Sequence, residues 1–227
     1  VLIFVFLSVI SVPSKGYTSV AVRKCKPEEF KFVNATENAV STPVFDVEFD
    51  EKFNISKLIH KESGRSVAPC GETVGKVMAY QDRPHNHEAW DIKCYFDEKS
   101  WELDFKSAEL VEVGPVRAVY KVERTFRKST FTEYYIIYKG LERIDVDYEA
   151  DWHEDHVVLK ADYPVDVNAT KATFDIQFGN VERSTTTNTT WEFAQFEESM
   201  HKWVDLSDNS FGLSILNDCK YGCDVKD

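Results

Sequence analysis

The feature that most constrains this sequence is a period of two in its apolar residues. Val116, Ala118, Tyr120 and Val122 alternate with Arg117, Lys121 and Glu123, and Ile144, Val146, Tyr148 and Ala150 alternate with Asp145, Asp147 and Glu149. Successive side chains of a strand point to opposite faces, so each run has one face to bury on a shared core. Phe45, Val47 and Phe49 repeat the pattern, and Asp50-Glu51-Lys52-Phe53-Asn54 then turns the chain into Ile55 to Lys61, which predicts a hairpin. From Pro115 three long strands follow one another through Phe131, Tyr135 and Ile137, with a turn at Lys139-Gly140, which predicts a meander. Val157, Leu159, Ala161 and Tyr163, then Ala172, Phe174, Ile176 and Phe178, extend the device. No stretch of a dozen residues keeps a capped helical period; Trp191 to His201 comes nearest and reads equally as a strand. Gly179 to Trp191 is polar and reads as an exposed loop. The expected fold class is all-β, an antiparallel β-sandwich.

A chain of 227 residues has room for one large all-β domain or two small ones, and its 14% aromatic content suits pleated, half-buried surfaces. The net charge of -12 repels phosphate backbones and anionic membranes, so neither nucleic acid nor membrane is expected as a partner. The densest basic stretch, Arg117 to Lys128, reads as the solvated face of a strand. The apolar run Val1 to Val12 lacks a basic leader and is too short to span a bilayer; it reads as a buried strand entering a turn in preference to a signal peptide. Starting at Val, the chain reads as a fragment of a longer one. Cys25, Cys70, Cys94, Cys219 and Cys223 are odd in number and scattered, which predicts reduced thiols of a cytosolic protein. Glycosylation triplets at Asn34, Asn54, Asn168 and Asn188 matter only for a secreted parent.

Three polar stretches could carry chemistry. Tyr80 to Asp91 collects a Trp, carboxylates, an Arg, an Asn and two His around Pro84, which cannot continue a central strand. Sugars are recognised by such mixtures, an aromatic ring stacking on the sugar while amides, carboxylates and guanidinium share its hydroxyls. The plain alternative is a loop anchored by Trp90. In Asp151-Trp-His-Glu-Asp-His156 the two His suggest a metal, yet on a strand His153 and His156 face opposite sides, and a structural role with Trp152 buried is favoured. The third stretch holds Glu182 and Arg183, which either pair with each other or face a ligand, near Thr185, Asn188 and Trp191. Cys219 and Cys223 fall short of a zinc site.

The same stretches carry a family resemblance. DRPHNHEAWDI (82 to 92), VEVGPVRAVYKVERTF (111 to 126), ERIDVDYEADWHE (142 to 154), FDIQFGNVERSTTTNTTWEFAQFE (174 to 197) and HKWVDLSDNSFGLSILNDCKYG (201 to 222) resemble, in order, the C-terminal β region of family 38 α-mannosidases of the cytosolic or vacuolar branch. The resemblance implies a galactose-mutarotase-like supersandwich over residues 41–227, preceded by strands and linker in residues 1–40, with truncation at both ends. It also implies a parent that hydrolyses terminal α-mannosides with retention, through an Asp nucleophile and a zinc ion held by His and Asp upstream. No residue here matches those motifs, so no catalytic residue, metal ligand or cofactor is assigned to this chain, and His153 and His156 are not recruited. The partners implied are the catalytic barrel and helical domain of the same parent chain and a mannose-containing oligosaccharide, in the cytoplasm or alternatively in a vacuole or outside the cell. Self-association through open sheet edges is a further expectation. The substrate-facing residues expected are Asp82, Arg83, Asn86, Trp90 and Asp91, then Glu182 and Arg183. Two other functions compete: an aldose epimerase using His85, His87, His153 and Glu182 as acid and base, and a non-enzymatic carbohydrate-binding module.

Overall fold

The computed structural model describes residue 12 and residues 14–21, 31–87 and 90–226. The expected strand at Val1 to Val12 and the thiol of Cys25 fall outside them, apart from Val12 itself. In chain order the strands are β1 (Asn34–Ala35), β2 (Ala39–Ser41), β3 (Phe45–Phe49), β4 (Ile55–His60), β5 (Arg65–Ser66) and β6 (Lys76–Gln81). A 3-10 turn (Phe96–Glu98) precedes β7 (Ser100–Glu102), β8 (Asp104–Val113), β9 (Arg117–Phe126), β10 (Ser129–Tyr138) and β11 (Ile144–Asp151). After β12 (Val157–Asp162), β13 (Lys171–Ile176) and β14 (Gly179–Ser184) come the helix α1 (Thr190–Phe193) and β15 (Glu198–Ser199), β16 (Trp203–Ser207), β17 (Gly212–Leu216) and β18 (Gly222–Cys223). Every strand pair given a register is antiparallel, as the alternation requires. Among the described residues no helix is long and apolar enough to cross a membrane.

The chain divides into two interleaved compact units, the first running up to Arg65 and resuming over Asp104–His153, the second taking Ser66–Leu103 and the residues from Glu154 onward. In the first unit a sheet ordered β1-β2-β3-β4-β5 and a sheet ordered β11-β10-β9-β8 form a sandwich. Their inner faces meet where the period of two places large side chains: Tyr120 on β9 lies 5.0 Å from the Phe49 ring and 5.6 Å from Phe53, and Tyr135 on β10 lies 5.4 Å from Phe49. The Tyr120 hydroxyl spans the sandwich to the carbonyl oxygens of Thr36 and Ala39, each 2.8 Å away. Val47, Tyr120, Val122, Tyr135 and Ile137 are essentially solvent-free; each such side chain contributes about 1.5–3 kcal/mol. The predicted hairpin and meander are present in their expected places.

The expectation of a solvated face over Arg117 to Lys128 holds at Arg117 and Lys121, which pair with Glu112 and Glu123, and fails at Arg124. Arg124 shares the phase of Ala118, Tyr120 and Val122, so it faces inward and its side chain is 1% exposed. Its guanidinium donates to Glu133 at 2.5 Å, to the carbonyl oxygens of Lys52 (2.9 Å) and Phe53 (3.2 Å), and to Asn54 Oδ1 (3.0 Å). Those acceptors belong to the turn joining β3 to β4, in which Phe53 takes a positive φ of 61° while stacking on Phe49 at 4.4 Å. The same burial removes Asn54 as a glycosylation site, whereas Asn34, Asn168 and Asn188 are exposed. Strand β8 has no counterpart in the expected elements, because its alternation is interrupted by register shifts at Phe105/Ser107 and Leu110/Glu112.

The second unit holds sheets ordered β12-β6-β7 and β14-β13-β16-β17 and the pair β15-β18. Ala172, Phe174, Met200 and Val204 form a buried cluster, flanked by Val181, Leu206, Ile215, Cys223 and Val225. Strand β13 ends at Ile176, so the expected strand position of Phe178 is corrected: it sits in the hairpin turn at φ 64°, fully exposed. The expected loop after Gly179 begins as strand β14, and only residues beyond Ser184 are irregular. The segment left open between helix and strand divides into one turn of helix, capped by Thr189 with Glu192 reaching back, and then β15. Lys160 on β12 is held between Glu197 (2.6 Å) and Asp224, its ammonium 4.6 Å from the centre of the Phe96 ring.

Cys70, Cys94, Cys219 and Cys223 are free thiols. Burial, then the charge of Asp224, pushes the Cys223 thiol up to about 11. Near neutral pH, iodoacetamide is expected to alkylate the exposed Cys70 and Cys94 well before Cys223, since the thiolate is the nucleophile. Peptide mass spectrometry over a time course checks the order.

Candidate functional site

Strand β6 ends where Pro84 prevents its extension. Asp82 makes the last link of the ladder, its N–H donating to the His156 carbonyl at 2.9 Å. The loop closes on itself at His87, whose φ is 60° and whose carbonyl accepts the N–H groups of Trp90 and Asp91, each at 3.0 Å. This closure holds Trp90 with 89% of its surface in solvent. An indole that could bury about 200 Å² is thus left at the surface. Asp91 is ion-paired with Lys93, which raises the lysine's pKa. Asn86 is exposed, and the Arg83 carbonyl accepts from the Tyr95 hydroxyl at 3.3 Å.

Beside the loop lies an open groove of about 310 Å³ lined by Gln81, Arg83, Tyr95, Glu98 and Lys99. Its donors (the guanidinium, ammonium and amide), its carboxylate acceptor and one aromatic ring are the groups that recognise a polyhydroxylated ligand. The His85 ring stands 6.0 Å from Tyr95, and the Lys99 ammonium lies 5.2 Å from the Trp101 ring centre. Tyr95, Glu98 and Lys99 were not among the expected site residues. They sit on and beside the 3-10 turn, and the N–H of Gln81 bonding the Lys99 carbonyl at 2.9 Å brings that turn against Arg83. Nothing local in the sequence signals that pairing.

Glu182 and Arg183 neither pair with each other nor share a face, because consecutive residues of β14 point to opposite sides. Glu182 is exposed and pairs with Lys171 at 2.8 Å, whose hydrogen bond and charge hold its carboxyl below the usual range. Arg183 lies 4.5 Å from the centre of the Phe174 ring, donates to the Ser199 carbonyl at 3.1 Å and pairs with Glu198 at 3.4 Å. It clamps β14 to β15.

The Asp151 to His156 segment leaves β11 at Asp151 and is a turn, not a strand. Trp152 stacks on Phe126 at 5.8 Å and is half-buried; the backbone N–H of His153 donates to Ser129 Oγ at 2.8 Å, and its ring pairs with Asp151 at 2.9 Å. The zinc ion that the resemblance implies does not fit these residues. Among the described residues, neither this segment nor the 82–91 loop supplies three His, Cys, Asp or Glu side chains close enough to share a metal.

Comparison with known proteins agrees with this architecture. Residues 40–227 match the family described as "Glycosyl hydrolases family 38 C-terminal domain". Alpha-mannosidase 2C1 of Homo sapiens is 30% identical over 230 residues, 97% of this chain and 22% of that protein, and Alpha-mannosidase G of Dictyostelium discoideum is 33% identical over 174 residues, 74% of this chain and 16% of that protein. The chain therefore spans about a fifth of the length of these relatives. The crystal structure of an alpha-mannosidase from Enterococcus faecalis V583 superposes with a TM-score of 0.67 at 12% identity, covering 83% of this chain and 24% of that one. An all-β chain matched over residues 40–227 by that family, with relatives in it along nearly its whole length, belongs to glycosyl hydrolase family 38 and carries its C-terminal domain.

Proposed function

We propose that this chain is the non-catalytic β portion of a retaining, zinc-dependent α-mannosidase that removes terminal α-D-mannosyl residues, and that its 82–91 loop lends surface to the sugar site. On this reading the nucleophile, the acid/base carboxylate and the zinc reside in the rest of the parent protein, whose barrel and helical domain this β portion supports. The parent then works in the cytoplasm, in keeping with the cytosolic or vacuolar branch that the sequence resembles. The observation that carries the reading is an 89% exposed Trp90 on a loop whose Arg83 lines a groove of mixed polar and aromatic character, in a chain of this family. Asp82, Arg83, Asn86 and Asp91 of the same loop would serve as hydroxyl partners. Glu182 is available at the surface, and Arg183 serves through the position of β14.

The test uses the full-length enzyme that contains this region. Trp90→Ala and Asp91→Ala are expected to lower kcat/KM on a mannosyl oligosaccharide about tenfold each, the loss of one stacking or one charged hydrogen-bond contact. Thermal stability should stay unchanged, because both side chains are at the surface. Unchanged kinetics in both variants would remove the loop from the sugar site. Polarimetric mutarotation by the isolated chain would instead favour the epimerase.

A further inference from the structure

We propose that Phe96 is a positioning residue for the groove, held in place by residues 222–226 acting as a strap; the bearing of this on a sugar rests on the function proposed above. Tyr95, Glu98 and Lys99, three of the five residues lining the groove, belong to the 3-10 turn Phe96–Glu98 or adjoin it. That turn has little structure of its own. The N–H of Phe96 reaches the Lys93 carbonyl at 2.9 Å, the N–H of Glu98 reaches the Tyr95 carbonyl at 3.2 Å, and no side chain caps its start. So short a turn does not hold its place by internal bonds, and what it packs against sets its position.

The two faces of the turn differ. Glu98 and Lys99 are exposed on the groove side, whereas Phe96 is 3% exposed. Its ring meets Tyr80 edge-on at 5.5 Å and Phe196 at 6.4 Å, and the ammonium groups of Lys160 and Lys226 lie 4.6 Å and 5.5 Å from its centre. Cations at that range are drawn to the ring. Both lysines are themselves tethered: Lys160 pairs with Glu197 at 2.6 Å and with Asp224, and Lys226 pairs with Asp224 at 3.2 Å and with Asp97 of the turn at 3.5 Å. Asp224 thus joins β12 to the strap, and Lys226 joins the strap to the turn. The strap is anchored in turn by β18, which pairs with β15 at Glu198↔Cys223 and Ser199↔Gly222. On its other side the turn meets the end of β6 through the Gln81 N–H, which donates to the Lys99 carbonyl at 2.9 Å. Groups far along the chain therefore converge on one ring, and the place of that ring fixes the groove wall.

The test is hydrogen exchange at the Gln81 amide in the full-length enzyme, read by mass spectrometry with residue-level fragmentation. Phe96→Leu, which fills most of the space of the ring but offers no aromatic face, should speed that exchange about tenfold. Lys226→Met should speed it about threefold, since this lysine keeps 40% of its side-chain surface in solvent, and Lys226→Arg should restore the original rate. Amides of β13 and β16 in the same unit should keep their rates in all three variants. With the groove at the sugar site, KM for a mannosyl oligosaccharide should rise by about the same factors while kcat stays unchanged, because no reacting group lies on the turn. Unchanged exchange at Gln81 in Phe96→Leu would overturn the positioning role, and so would an equal rise across β13 and β16, which would make the ring a support of the whole unit. Unchanged exchange in Lys226→Met would overturn the strap. Faster exchange at Gln81 with KM unchanged would uphold the positioning of the groove and remove the groove from the sugar site.

Discussion

Glu133→Ala is expected to destabilise the first unit by about 3–5 kcal/mol, enough to unfold it or bring it to the edge of unfolding. Glu133 is fully buried on β10, its Oε2 2.5 Å from Arg124 and its Oε1 accepting from the Tyr135 hydroxyl at 3.1 Å. Without it the guanidinium remains in a site to which water has no access, with a full positive charge balanced only by carbonyl dipoles. Removing both charges is a different experiment. In Arg124→Met with Glu133→Leu no charge is left stranded, and what is lost is the donor to the Lys52 and Phe53 carbonyls and to Asn54, about 1–3 kcal/mol in total. The double variant should therefore be more stable than Glu133→Ala. Urea unfolding followed by hydrogen exchange over β9 and β10 makes the comparison. A double variant less stable than the single one would show that the pair stabilises through its own attraction, not through the cost of breaking it.

Lys160→Met should cost the second unit about 3 kcal/mol, because Glu197 and Asp224 keep only 19% of their side-chain surface and would be left facing each other. The same group gives the unit an alkaline limb. Burial pulls the Lys160 ammonium down, but Asp224 and Glu197 pull it up by more, so its pKa in the fold lies above the ordinary 10.5. The stability it supplies is complete below that ordinary value and is lost as pH rises through the folded one. Cys223 acts in the same direction: with its thiol pushed up from 9.0 to about 11, its contribution is complete below 9.0 and gone above 11. Melting temperatures of the second unit should thus hold near neutral pH and fall from pH 9.0 upward, and Lys160→Met should flatten the upper part of that fall. A variant as alkali-sensitive as the parent chain would remove Lys160 as the cause.

The fold was legible wherever the period of two was uninterrupted. The β3–β4 hairpin and the β9–β10–β11 meander could be drawn from spacing alone, because each strand has one buried face and a short turn. Strand β8 escaped because two bulges shift its phase, and an edge strand has only one neighbour to demand regularity. Arg124 was legible in principle, since its phase is that of Tyr120, but charge was read ahead of position. Residue type singled out the 82–91 loop as the candidate site, and Pro84 does lie just past the end of β6 at Gln81. It gave no notice of Tyr95, Glu98 and Lys99, whose place in the groove depends on a backbone pairing between β6 and the approach to β7. Adjacency misled at Glu182 and Arg183, where the pleat separates neighbours in the sequence onto opposite faces.

The interleaving of the two units fixes an order of events during synthesis. The first unit is complete once residue 153 has left the ribosome, and Arg124 can then seal its sandwich. By that time residues 66–103 have already emerged, with Val77 and Ala79 of β6 exposed on a strand whose partner β12 has yet to be made. For the time needed to translate the next stretch, this segment is an unfinished sheet hung between two parts of a finished domain. A pause in translation between residues 103 and 157 would lengthen that exposure, so misassembly of this protein should respond to codon speed there more than anywhere else along the chain.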